Sequence, residues 1–165
     1  MTAPVSVKRL DPRAKLPAYG SADAAGADLY ALTGGPVTIA PGETAKIPTG
    51  LAVAIPQGYV GLVFARSGLA CKGGLAPANK VGVIDADYRG EVLIFRHNHG
   101  SHPQTVEDGG RVAQLVIVPY LTAQFTLAEE LESKSCRNTL RGLHFQRRHS
   151  QDKLVRVLSG EVFDV

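Results

Sequence analysis

The sequence predicts an all-β protein, a sandwich or barrel of short strands, and three observations carry that prediction. There are 18 glycines and 10 prolines among 165 residues, with 6% aromatics and no Trp, a turn-rich balance that suits a sheet protein better than a helical bundle. Short apolar and β-branched runs recur between turn signals at Gly34-Gly35-Pro36, Pro41-Gly42 and Pro56-Gln57-Gly58. No helical period is sustained through the first half of the chain, and no internal repeat is visible.

Taken in order, the strands expected in the first half are Val5 to Arg9, Ala27 to Tyr30, Val37 to Ile39, Ala45 to Ile55 and Tyr59 to Phe64. One short helix is expected after Ser67, which reads as an N-cap for Gly68-Leu69-Ala70-Cys71-Lys72 before Gly73-Gly74 stops it. In Asn79 to Val92 an apolar run ends in Asp85, Asp87, Tyr88 and Gly90 and resumes as Glu91-Val92-Leu93-Ile94-Phe95. That is the pattern of a β-hairpin with its polar groups at the bend. Glu91 to Asn98, Gln104 to Val106 and Arg111 to Val118 complete the set, closed by Pro119.

At 17.5 kDa the chain is sized for one domain with a real core. Its net charge of +3 is unevenly placed. Residues 133 to 165 hold seven Lys/Arg against three Asp/Glu, which leaves eleven against twelve for residues 1 to 132. The body therefore lacks the basic patch with interleaved aromatics that a nucleic-acid binder shows. Cys71 and Cys136 make no disulfide framework and sit in no zinc spacing, so a reducing cytoplasm is expected. Neither a signal peptide nor an apolar run of ~18 residues is present, so no membrane partner is expected.

Several residues carry chemistry. A carboxylate at the bend, Asp85 or Asp87, can orient a water as general base, and the Tyr88 ring can pack on a sugar or base. Equally, both acids can bond nearby backbone N–H groups, as turn Asp residues do. Arg66-Ser67-Gly68 offers a cation, a hydroxyl and a bare backbone, which is what a phosphate site needs. Asp28 is an acid in a strand of small and apolar residues, where it either pairs with an arginine, caps a turn or serves a ligand. His97 and His99 fall on one face of a strand, with His102 beyond; they could bind a metal, but no Cys or acid is spaced to complete the site, so an exposed loop is the reading.

Four segments, in this order, resemble the signature segments of the homotrimeric dUTPases: Ala25 to Ala31, Ala65 to Ala70, Asn79 to Val92 and Gly110 to Leu115. The resemblance implies a jelly-roll or β-barrel of mostly antiparallel strands, a trimer, and Mg²⁺-dependent hydrolysis of dUTP to dUMP and pyrophosphate. It implies Asp85 as the base on the attacking water, and Asn79 and the backbone about Val83 on the uracil edge. It further implies Tyr88 on the deoxyribose, Arg66, Ser67, Gly68 and Gln114 on the phosphates, and Asp28 acting on Mg²⁺ through its water shell. Gly110 stands where the family has an acid before Arg111, and Asp108 is the candidate replacement.

The resemblance covers residues 1 to 132 and then breaks. A dUTPase would continue into a glycine-rich arm, whereas residues 133 to 165 hold none. The stretches Leu140 to Gln146 and Gln151 to Val165 are similar to an internal piece of dTDP-4-dehydrorhamnose 3,5-epimerase, in which His144 would match the base and Arg141 a substrate contact. The tail reads as a fusion or rearrangement scar, because so short a piece of a cupin barrel cannot close. The reading that follows is a dUTP diphosphatase impaired by loss of its arm. The alternatives are a slow nucleotide-binding protein and, with least support, a sugar-nucleotide epimerase; Asp85-Ala86-Asp87-Tyr88 argues against a deaminase.

Overall fold

The structure is a computed structural model that describes residues 4–127 and Gly160. The chain divides into two compact units, Met1–Ala123 and Gln124–Val165. The epimerase-like segment, with Arg141 and His144, lies outside the described residues.

The first unit is built from eleven strands: β1 (Ser6–Arg9), β2 (Ala18–Tyr19), β3 (Ala27–Tyr30), β4 (Val37–Ile39), β5 (Thr44–Ala54), β6 (Tyr59–Phe64), β7 (Leu75–Pro77), β8 (Gly82–Ile84), β9 (Glu91–Asn98), β10 (Gln104–Val106) and β11 (Arg111–Pro119). All pairings are antiparallel. One sheet has the order β1-β5-β9-β7, a second β2-β3-β11-β6-β8, and β10 pairs with β4 as a ribbon. The expected all-β class is what forms. The sheets do not close into a barrel among the described residues, since β1, β7, β2 and β8 remain edges.

The buried core includes Leu29, Ile47, Val53, Val63, Leu75, Ile94, Val112 and Leu115 from the two larger sheets and Ile39 from the ribbon. Strand β9 shows how the pattern works. Val92, Ile94, Arg96 and Asn98 are buried, while Leu93, Phe95 and His97 stand on the other face. Arg96 thus enters the core in the phase of an aliphatic residue. It is fully buried and donates to the carbonyls of Val112 and Leu75, which ties β9 to β11 and β7. Its Nε has no partner among the described residues, and burial pushes its pKa down to about 10.

Two local expectations are corrected. The segments around Val83 and Val92 do not form a hairpin: β8 pairs with Gly61–Val63 of β6, whereas β9 pairs with β5 and β7 in the other sheet. Asp85 to Gly90 is therefore a crossing between sheets, begun by a turn in which the Tyr88 N–H donates to the Asp85 carbonyl. A polar bend between apolar runs fits both structures, and only distant partners distinguish them. The helix after Ser67 is a single wide π turn, Gly68–Lys72. Ser67 is already helical (φ −54°, ψ −43°) and its side chain caps nothing, because the Arg66 carbonyl takes the Leu69 and Ala70 N–H groups and leaves the turn one residue earlier than expected.

Candidate active site

A cleft of about 220 Å³ opens where the chain crosses between the sheets. Asn79, Val83, Asp85 and Tyr88 all line it, opposite Glu91, Leu93 and Phe95 of β9. Four of the residues singled out in the sequence are thus brought together. Asp85 and Asn79 are exposed, so their polar groups are free to meet a ligand. Val83 is 64% exposed and lies on β8, the edge strand of its sheet. The outer N–H and C=O groups of that strand therefore have no strand partner among the described residues.

Tyr88 is held at two points. Its hydroxyl donates to the Glu91 carbonyl at 3.0 Å, and its ring lies over Gly90, where a Cβ would sit 2.5 Å from Oη and 2.7 Å from Cζ. With the hydroxyl engaged, the ring face is what the residue offers. Glu91 in turn accepts the Gly50 N–H at 2.8 Å. Gly50 has φ +66°, and a side chain there would strike Leu32 and Ala14. Glu91, Gly90 and Phe95 escaped the sequence reading, although the alternation along β9 already put Phe95 on the outward face.

A second cluster lies in the five-stranded sheet. The antiparallel register sets Asp28 of β3 opposite Gln114 of β11, and Gln114 opposite Phe64 of β6, so that the three stand in one row across the sheet. Asp28 is 4% exposed. Gln114 Nε2 donates to its Oδ1 at 3.4 Å, and Arg66 Nε lies 2.8 Å from the same oxygen. That Nε–H is not aimed at the carboxylate, so the contact is an ion pair without a hydrogen bond. Arg111 approaches the other oxygen at 3.6 Å. Asp28, Arg66 and Gln114 therefore form one charged cluster, with Ser67 and Gly68 beginning the turn beside Arg66.

Asp108 does not support Arg111. Its Oδ1 accepts the N–H groups of Thr33 and Gly34 at 2.8 and 3.1 Å, and these bonds hold its pKa below the usual carboxylate value. The carboxylate facing Arg111 is Asp28. Two arginines already compensate that buried charge. Among the described residues, no group of three or more His, Cys, Asp or Glu side chains is placed to hold a metal by protein atoms alone. No helix among them is long and apolar enough to cross a membrane.

An antiparallel β protein with a carboxylate and an aromatic ring at a small cleft, and a charged cluster in the five-stranded sheet that also lines that cleft, is of the class that binds and acts on small polar molecules. The chain matches the dUTPase family over residues 12–142. It is 52% identical over 129 residues to the deoxyuridine 5'-triphosphate nucleotidohydrolase of Desulfitobacterium hafniense strain DCB-2, spanning 78% of this chain and 85% of that one. Among solved structures it is similar to a mutant dUTPase of Staphylococcus bacteriophage 80alpha with dUpNHpp, at 33% identity and a TM-score of 0.72, covering 81% of this chain and 93% of that one. It is also similar to a mutant dUTPase of phage phi11 of S. aureus described with a structural Mg(II) ion, at 30% identity and a TM-score of 0.68, covering 77% and 97%. The chain belongs to the dUTPase family.

Proposed function

We propose that this protein is a dUTP diphosphatase, which hydrolyses dUTP to dUMP and pyrophosphate with Mg²⁺, as a homotrimer in the reducing cytoplasm. The observation that carries the reading is the meeting, in one cleft, of an unpaired strand edge at Val83 with Asp85 and Tyr88. A strand edge presents N–H and C=O groups in fixed alternation, which matches the donor and acceptors of uracil and leaves polar groups unpaired against cytosine. Asn79 stands at the entrance to that edge. The Tyr88 ring covers the deoxyribose and leaves no room for a 2′-hydroxyl.

Asp85 takes the proton of the attacking water, in keeping with its exposed carboxylate at the cleft. Arg66, Ser67, Gly68 and Gln114 receive the phosphate oxygens, and Asp28 orients the water shell of Mg²⁺. When bound, Mg²⁺ neutralises charge developing on the phosphates. A site divided between the cleft of one chain and the charged cluster of another fits the exposure of Val83, Tyr88 and Phe95, and is the reason to propose a trimer. The absence of a glycine-rich run from residues 133 to 165 favours slow turnover, because arm closure excludes water and aligns the phosphates.

The test is pyrophosphate release with Mg²⁺ from dUTP, dCTP, dTTP and UTP. dUTP should be strongly preferred, and Asp85→Asn should lower its turnover by ~10²-fold or more while dUMP binding is kept. Equal rates on the four nucleotides would reject the substrate, and full activity of the variant would return Asp85 to the role of a turn residue.

A further inference from the structure

His97 and His99 take no part in the cleft or the charged cluster, yet they are arranged like a chelating pair. Their ring centres are 4.3 Å apart, with planes at 63°. Two imidazoles sharing one metal at about 2.0–2.1 Å place their ring centres roughly 4.5–5.3 Å apart, so the observed separation is within a few tenths of an ångström of what one shared ion requires. His97 Nδ1 and Thr44 Oγ1 lie 2.9 Å apart. With Nδ1 donating to that hydroxyl, Nε2 carries the free lone pair, which is how an outer partner orients a ligating histidine.

The surroundings are rigid. Asn98 between them is fully buried, donates to the Ile39 and His102 carbonyls and accepts the Gly100 N–H, while the His99 N–H donates to the Gly74 carbonyl. The backbone that carries both rings is therefore held in place before any ion arrives. Lys80 lies close enough for its charge to act on the His99 ring. No third His, Cys, Asp or Glu among the described residues joins the pair, so water completes the coordination.

We infer that His97 and His99, oriented by Thr44, form a surface site for a late first-row divalent cation of the Ni²⁺, Cu²⁺ and Zn²⁺ group. Imidazole nitrogen suits these ions and not Mg²⁺, so the site is chemically separate from the hydrated Mg²⁺ proposed at Asp28. It is a partial chelate, open to exchange, and the nearby Lys80 charge weakens it.

The experiment is a Ni²⁺ titration of the full chain, followed by paramagnetic broadening of the imidazole signals, in a background where His144 and His149 are Gln. One Ni²⁺ should bind per chain and broaden His97 and His99 first, in the presence of excess Mg²⁺. His97→Gln and His99→Gln should each abolish that step, Thr44→Val should weaken it by roughly 10-fold, and Lys80→Gln should tighten it. His99 is exposed, so its variant tests the site without disturbing the fold. A step that survives either histidine variant, broadening that begins at His102, or no broadening at all would overturn the site.

Discussion

Replacing Gly90 by Ala tests how the Tyr88 ring is placed. The added Cβ would lie 2.5 Å from Tyr88 Oη, 2.7 Å from Cζ and 3.1 Å from Cε2, distances a methyl group cannot keep. Either the ring or the backbone must yield. The ring is 43% exposed and held by one hydrogen bond to the Glu91 carbonyl, worth about 0.5–1.5 kcal/mol. Gly90 is not among the positive-φ glycines, so Ala adds no backbone strain and stiffens the unfolded chain by about 0.4–1 kcal/mol in favour of folding. The two terms nearly cancel. The ring swings out, and stability changes by less than ~1 kcal/mol, within a few degrees of Tm.

Binding does not cancel. A ring withdrawn from the sugar forfeits about 0.5–1.5 kcal/mol of aromatic contact, equivalent to a 2- to 12-fold loss in kcat/KM for dUTP at ~1.4 kcal/mol per tenfold. UTP, which the ring is proposed to exclude, should gain relative to dUTP. Steady-state rates on both nucleotides and a melting curve suffice as the assay. If Tm falls by more than ~8 °C, the backbone has absorbed the clash and the ring is not the element that yields. If kcat/KM and the dUTP-to-UTP ratio both hold within twofold, Gly90 does not place the ring against the sugar.

Three further outcomes are expected. Light scattering at micromolar protein should give three chains per particle, and a monomer would remove the shared site. The Asp108 carboxyl has its folded pKa lowered from 3.8 by the Thr33 and Gly34 N–H groups, so its contribution is present above the unfolded value and is lost as pH falls through the lowered one; Asp108→Asn should flatten that part of the acid limb of Tm against pH, and an unchanged limb would count against it. Exchanging residues 133 to 165 for a glycine-rich family arm should raise dUTP turnover by at least ~10-fold, about 1.4 kcal/mol of barrier, and equal rates would mean that closure does not limit the reaction.

What could be read from the sequence was what depends on neighbours along the chain. β3, β4, β6, β9 and β10 have the expected limits, because a period of two broken by Gly and Pro marks a strand without reference to its partner. β2 and β7 were missed: Ala18–Tyr19 and Leu75–Pro77 are too short to show a period, and Pro77 argues against a strand unless it lies at a sheet edge, where β7 does lie. The hairpin reading failed because the partner of Val83 is Leu62, far away in sequence. The site divides in the same way. Asp85 and Tyr88 sit in one polar bend and could be singled out from it, Asn79 and Val83 entered only through the family resemblance, and all four line one cleft; the row Asp28–Gln114–Phe64 exists only through the registers of three strands, and nothing in composition or spacing announces it. Arg96 gave a signal that went unread, since it falls in phase with Val92 and Ile94, on the face that the core requires.

The charged cluster has a consequence for how the ligands would arrive. Arg66 stands 2.8 Å from Asp28, and Arg111 faces the other oxygen. The residue proposed for the phosphates and the residue proposed for the Mg²⁺ water shell thus neutralise each other. A phosphate that draws Arg66 away leaves Asp28 buried and undercompensated, at a cost of the kind that makes a half-broken buried pair unfavourable; a hydrated cation on its own leaves Arg66 competing for the same carboxylate. Binding both together exchanges one set of partners for another with no charge left alone. With those proposed roles the pairing would couple metal and phosphate, so that each would raise the affinity for the other by the same factor. It also explains how a carboxylate can be kept in a strand whose neighbours, Ala27 and Leu29, belong to the core: Arg66, the residue proposed for the phosphates, and Arg111 both stabilise Asp28.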